Sequence, residues 1–272
     1  MPSLNAISPE KLARLLGTPA CPAIVEVKNA GGGSIPGTVR RAPDEVASWA
    51  HRLRGRSAIV VCAAGGDTSA GVAARLRHEG VEAEILEGGL AAWSGAGLPT
   101  LSEARLPPRD AEGRTIWVTR ARPKVDRIAC PWLIRRFVDP EAVFLFVAPA
   151  EVAGVAERFG AAPFDVEGAF WSHRGELCTF DVMVEELGLG GVAGLERLAS
   201  IVRGADTARP DLAPQAAGLL AVSLGLSRMF ADDLKQLEAG MTLYDALYRW
   251  CRDAVDETHD WVSHTPGRKG GR

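Results

Sequence analysis

Through the first hundred residues, short apolar runs alternate with segments whose apolar positions recur at helical spacing. Ser8 is placed to cap a helix carrying Leu12, Leu15 and Leu16. Residues 23–27 form a short β-type run, followed by a turn-rich stretch at 29–33 and the turn Ile35-Pro36-Gly37. Residues 44–54 read as a helix. The continuous apolar run AIVVC at 58–62 suits a strand buried on both faces of a parallel sheet. A glycine-rich loop at 63–67 leads into a predicted helix over 69–78, a strand at 84–86, and a turn with a short helix at 88–94. Strand, loop, helix and strand at this spacing predict an α/β domain, a parallel sheet flanked by helices, over residues 1–100.

Residues 101–114 carry two prolines and no periodicity, which predicts a linker. Beyond it, 116–119 and 143–147 read as strands around a helix over 125–138 that contains Pro131. A helix at 151–159 follows, and 164–166 and 170–172 look extended. After Cys178 the spacing is helical over 179–187, 192–203, 214–230, 232–237 and 241–255, with Thr179 as a cap and Gly204 ending its helix. The second domain, 115–265, is therefore expected to be a mainly helical α+β domain, and 266–272 a disordered tail.

With 272 residues, 47% of them hydrophobic and 24% charged, the chain can bury a core and fits two domains. The five cysteines are scattered and contain no CxxC pair, which argues against a disulfide framework or a zinc ribbon and for a reducing, cytoplasmic setting. The first residues lack the pattern of a signal peptide. The longest apolar run, 216–226, is too short for a membrane span. A net charge of −3 gives no case for nucleic acid.

Cys62 ends the buried strand, Gly65 and Gly66 follow, and Ser69 opens the predicted helix. Backbone N–H groups and the positive end of a helix dipole would then face the sulfur, an arrangement that lowers a thiol pKa and cradles an anion. The candidate catalytic residue is Cys62, with Gly65, Gly66, Thr68 and Ser69 as the anion cradle. The alternative is a buried cysteine that only fills space. The runs IVEVK at 24–28, Ser34-Ile35-Pro36-Gly37, and IVVCAAGGDTSAGVAARLRHEGVEAEILEGGLAAWSGAGLP resemble the rhodanese family over residues 5–100. The resemblance implies a rhodanese fold with Cys62 at the sulfurtransferase position. Asp67 stands where that family places an arginine, the loop is one residue longer, and Glu26 and Lys28 replace the usual Asp and Arg. A carboxylate at the loop opposes both a thiolate and an anionic donor such as thiosulfate.

Between Arg114 and Arg136 seven basic residues face one acid, Asp126. Arginine forks match tetrahedral oxyanions, so this stretch is the candidate anion site; a solvated basic face is the plainer reading. No aromatic interleaving accompanies it, which counts against nucleic acid. His173, Cys178 and Asp181 lie within nine residues, and with Cys130, or His259, they form a candidate transition-metal set. Asp206 and Thr207 are expected in a loop that caps the next element or faces the same pocket.

The runs WVTRARPKVDRIACPWLIRRFVDPEAVFLFV, FWSHRGELCTFD, IVRGADTARPDLAPQAAGLLAVSLGLSRMFADD and MTLYDALYRWCRDAVDETHDW resemble the C-terminal domain of ChrB-type chromate-resistance proteins from Ile116 to Trp261. That resemblance implies a role in handling or sensing chromate, with Arg127, Arg135, Arg136 and His173 as oxyanion contacts and Cys130 and Cys178 as thiols open to oxidation. Three readings follow: an oxyanion-handling resistance protein with sulfur carried on Cys62; a non-catalytic chromate-responsive sensor or regulator whose rhodanese-like domain only binds a partner or an anion, operon DNA being the partner the charge pattern speaks against; and a sulfurtransferase with an unidentified acceptor.

Overall fold

The computed structural model describes residues 5–27 and 33–258. Lys28, His259, Trp261 and the tail 266–272 lie outside the described residues. The chain opens with β1 (Ala6–Ile7) and α1 (Pro9–Ala13), whose start is capped by Ser8 Oγ accepting from the Lys11 amide. Then come β2 (Ala23–Glu26), β3 (Thr38–Arg40), α2 (Val46–Trp49), β4 (Ala58–Val61), α3 (Asp67–His78), β5 (Ala83–Leu86) and α4 (Gly89–Gly95). The five strands form one all-parallel sheet in the order β1-β5-β4-β2-β3. This is the rhodanese-like α/β arrangement that the resemblance implies.

Alternation along the central strands divides the core. Val25, Val27, Val60 and Cys62 pack with Val46, Trp49, Val72 and Leu76, that is, under α2 and α3. Ile24, Ile59 and Val61 point to the other face, where Leu12, Leu16 and Trp93 lie. That second face also meets the rest of the chain, because the same apolar cluster runs on through Trp117, Trp132, Phe137, Phe180, Tyr244 and Tyr248. The Gly37 amide donates to the Phe137 carbonyl at 2.7 Å, and Arg52 and Arg41 reach Glu141. Residues 101–114, expected as a linker, are pinned at several points: Leu101 is buried, its amide donates to Ser34 O, and Ser102 N–H donates to Leu187 O.

The second region begins with β6 (Ile116–Arg120), α5 (Asp126–Phe137), β7 (Val143–Val147), α6 (Val152–Phe159) and β8 (Ala162–Pro163), a parallel sheet in the order β7-β6-β8. Its helical remainder comprises α7 (Thr179–Glu186), α8 (Leu195–Asp206), α9 (Ala216–Met229) and α10 (Asp233–Asp253). Four expectations are corrected. The N-cap of α7 is Cys178, and Thr179, expected as the cap, is its first helical residue. Helix α3 starts at Asp67, two residues before Ser69, with Gly66 as its N-cap. Helix α8 runs through Gly204 to Asp206; Gly204 sits where a Cβ would come within 2.9 Å of Ala216 Cβ and of Arg209 O, so its role is close packing. The two helices expected over 232–255 are one, α10, because Gly240 lets it approach Ile128 of α5 rather than ending it. Among the described residues no helix is long and apolar enough to cross a membrane, and all five cysteines are free.

Candidate functional site

The first candidate centre lies at the C-terminal edge of the parallel sheet. Cys62 follows β4 and is 8% exposed, beneath the exposed loop of residues 63–66. Its Sγ accepts from the amides of Gly65 and Gly66 at 3.2 and 3.3 Å and lies 3.2 Å from Ser69 Oγ. Burial pushes the thiol pKa up, but the Ser69 hydroxyl and the amides of Gly66, Ala64 and Gly65 outweigh it, and the net direction is down. The loop is held from below by α4, whose Leu90 and Ala91 amides donate to the carbonyls of Cys62 and Ala63. Thr68 is exposed on the first turn of α3, and so is Asp67, the residue standing where the rhodanese family places an arginine. Glu26 is buried at the end of the neighbouring strand, where Arg40 and Ser34 bind it and tie it to Glu103.

The second centre is an acidic group. His173 Nε2 lies 3.1 Å from Asp206 Oδ2, 3.4 Å from Asp165 Oδ1 and 3.7 Å from Asp126 Oδ2. One donor atom from each of the four residues lies within 4.8 Å of every other, a spacing at which one ion could bridge them. The residues come from the first turn of α5, the loop after β8, the loop before α7 and the last position of α8. Asp126 is fully buried, and its Oδ2 accepts from the Thr179 and Phe180 amides at 2.6 and 3.3 Å, so the N-terminus of α7 is aimed at it. Burial, and then the charges of Asp206 and Asp165, hold the Asp126 carboxyl well above the usual range; burial and Asp165 raise Asp206 as well. Asp165 at φ +51° and Val125 at φ +37° carry left-handed backbone, and Val125 is β-branched, so the main chain is strained on both sides of the group. Ser223 Oγ accepts from the Val125 amide and Tyr244 donates its hydroxyl to the Val125 carbonyl, which hold that turn.

The expected metal set is not the one that assembles. Of Cys130, His173, Cys178 and Asp181, only His173 belongs to the acidic group. Asp181 turns to the start of its own helix and to α8, accepting from the Cys178 amide and from Arg203, each at 3.1 Å. Cys130 and Cys178 are fully buried, and burial followed by the charge of Asp126 pushes both thiols far up, so they stay protonated. Asp126 appeared in the sequence only as the lone acid of a basic stretch, and Asp165 carried no signal beyond standing eight residues before His173.

The expected oxyanion arginines do not converge with His173 on a common anion site. Arg127 Nε is 3.2 Å from Asp165 Oδ2, and its Nη1 donates to the carbonyls of Arg120 and Ala121. Arg135 pairs with Glu238 and lies over the Phe144 ring; Arg136 forms a two-pronged pair with Asp245 at 2.8 Å, whose Oδ1 also accepts from the Trp132 indole. The carboxylates that take these guanidinium groups stand 38, 103 and 109 residues away in sequence.

The family model of the ChrB C-terminal domain matches residues 117–251. Over 145 residues the chain is 37% identical to Protein ChrB of Cupriavidus metallidurans, a match covering 53% of this chain and 43% of that protein. The chain thus spans less than half the length of this curated relative. Among solved structures, a protein from Staphylococcus saprophyticus is 25% identical with a TM-score of 0.32, over 35% of this chain and 98% of that one. A rhodanese-like domain protein from Staphylococcus aureus is 26% identical with a TM-score of 0.31, over 33% and 91%. A thiosulfate sulfurtransferase from Pseudomonas aeruginosa is 24% identical with a TM-score of 0.31, over 36% and 19%.

Proposed function

We propose, from the match of residues 117–251 to the family model of the ChrB C-terminal domain, that this is a chromate-resistance protein whose reactive centre is the Cys62 loop, where a sulfur atom or a tetrahedral oxyanion is held. The observation that carries the reading is the ring of amides around Cys62 Sγ at the start of α3. It favours a thiolate and offers the donors that a developing negative charge on sulfur or oxygen requires.

The chemistry available there is sulfur transfer. The Cys62 thiolate attacks the outer sulfur of a persulfide, R–S–SH. A new S–S bond forms on Cys62, the old one breaks, and its electron pair leaves on R–S⁻. The exposed Asp67 at the loop disfavours dianionic thiosulfate relative to such a donor. The ordinary thiosulfate reaction, in which sulfite leaves, is therefore expected to be slow. The arginines of the second region are committed to internal carboxylates, which supports placing the anion at the backbone cradle rather than at Arg127, Arg135 and Arg136.

Intact mass spectrometry tests this directly. The protein is incubated with a persulfide donor and then with cyanide, wild type beside Cys62→Ser. A gain of one sulfur atom in wild type alone, removed by cyanide as thiocyanate, is the expected result. The same gain in Cys62→Ser, or none in wild type, overturns the reading.

A further inference from the structure

We propose that Asp126, Asp165, His173 and Asp206 form a binding site for one divalent first-row transition cation of the oxygen-preferring kind, for which Mn²⁺ is the probe. The spacing supports this. Ligand bonds of about 2.1 Å place neighbouring ligand atoms about 3.0–3.5 Å apart. His173 Nε2 stands at 3.1, 3.4 and 3.7 Å from the three carboxylates.

Each carboxylate is also steered from behind, as metal ligands are. Asp165 Oδ2 faces Arg127 and Arg120, leaving Oδ1 toward His173, with the Thr179 hydroxyl donating to that oxygen at 3.1 Å. Asp206 Oδ1 accepts from the Asp126 amide, leaving Oδ2 toward His173. Asp126 is fixed by the two amides of α7.

An independent observation points to a missing positive partner. Asp126 is fully buried, yet its Oδ1 has no hydrogen-bond partner. Buried polar atoms are rarely left so, and an unpaired carboxylate oxygen is among the costliest. Asp165 has Arg127 and Arg120 behind it, but among the described residues the one imidazole is the ion-pair partner of both Asp126 and Asp206; a dication would serve both.

The donor set selects the ion class. Three carboxylates and one imidazole suit Mn²⁺, and any N/O site of this kind holds Zn²⁺ more tightly still, while the thiols of Cys130 and Cys178 stand outside the group, which disfavours a soft cation. One side stays open. The His173 side chain is 40% exposed and borders a cavity of about 510 Å³ lined also by Arg120, Glu167 and Ser172. A bound cation would face solvent there with a guanidinium beside it, so it could take an oxygen ligand from water or from an oxyanion.

The proposal stands apart from the Cys62 reading, and its test keeps them separate. The full chain, stripped with chelator, is titrated with Mn²⁺, free ion being followed by electron paramagnetic resonance and binding by calorimetry. One ion per chain is expected, displaced by Zn²⁺. Asp206→Asn and His173→Gln are each expected to weaken binding by about tenfold or more, while Cys62→Ser leaves it unchanged. Asp206→Asn removes one of three crowded carboxylates, so without metal its thermal midpoint is expected at or above that of wild type, which shows that the variant folds. Added Mn²⁺ is expected to raise the midpoint of wild type but not of the variant. No saturable binding of Mn²⁺ or Zn²⁺ by wild type would mean that His173 is simply an ion-paired imidazole, and binding undiminished in both variants would mean an ion held elsewhere; either result overturns the proposal.

Discussion

Replacing Gly89 by alanine tests whether the Cys62 cradle is built by backbone contact. Gly89 has φ +59°, and a Cβ there would meet Cys62 O at 2.3 Å, Gly65 N at 2.5 Å and Ala64 N at 2.9 Å. These are main-chain atoms, so nothing flexible can yield. Gly80 is the control: its φ is +83°, but a Cβ there meets nothing within 4 Å. Gly80→Ala should therefore cost only the left-handed backbone penalty, about 1–2 kcal/mol. Gly89→Ala should cost that plus an overpacking cost of about 1–3 kcal/mol. The excess falls on the loop that carries the sulfur. Displacing the Gly65 amide from Cys62 Sγ removes a hydrogen bond to a charged group worth about 1.5 kcal/mol, which corresponds to about a tenfold slower alkylation on the rising limb of the pH profile. Urea denaturation measures the first quantity and iodoacetamide kinetics against pH the second. If Gly89→Ala matched Gly80→Ala in both stability and alkylation rate, the claim that the α4 start shapes the thiol would be wrong.

Further predictions concern the thiols and the arginines. Cys62 is expected to react first with a thiol reagent near neutral pH. Its pKa is lowered, so its thiolate survives below the pH at which an ordinary thiol is protonated, and its rate falls only as pH drops through that lowered value. Cys21 and Cys251, pushed up to about 11 by burial, should stay slow until the pH nears that value, and Cys62→Ser should remove the fast phase. Ser69→Ala is expected to move the Cys62 profile toward higher pH, since it deletes the hydroxyl that lowers it; an unmoved profile in alkylation kinetics refutes that role. Arg136→Ala should cost about 1.5–3 kcal/mol in urea denaturation, because it leaves the largely buried Asp245 carboxylate with the Trp132 indole alone. Arg135→Ala should cost less, about 0.2–1 kcal/mol, because its partner Glu238 is 65% exposed. Equal costs would show that burial does not distinguish the two pairs.

The parallel strands were legible because their signal is local. A run such as AIVVC can only be buried on both faces, and β4, β6 and β7 lie within a residue of where apolar runs put them. The loop after Cys62 was legible for the same reason, since glycine spacing and the following helix fix where the amides go. The glycines at 204 and 240 misled because a stop signal and a close helix crossing use the same residue; only Ala216 and Ile128, brought up by tertiary packing, distinguish them. The charge pattern misled more deeply. Seven cations against one acid looked like an anion site, yet Arg120, Arg122, Arg127, Arg135 and Arg136 all pair with carboxylates 38 to 111 residues away. The acidic group stayed hidden for the converse reason: Asp126, Asp165, His173 and Asp206 are scattered over 80 residues and share no motif spacing.

The apolar cluster that passes from Ile59 and Val61 through Phe137 to Trp132 and Tyr244 has a thermodynamic consequence. Because both halves contribute to this one cluster, neither keeps its inner face dry alone. The chain should therefore melt in a single calorimetric transition, and a cut within residues 101–114 should leave two pieces that each expose a sticky surface. Energy introduced at one end is then shared. A covalent change on Cys62 that strains the strand ahead of it is then expected to destabilise the helices around His173, and anything binding those helices is expected to stabilise the strand that carries the sulfur.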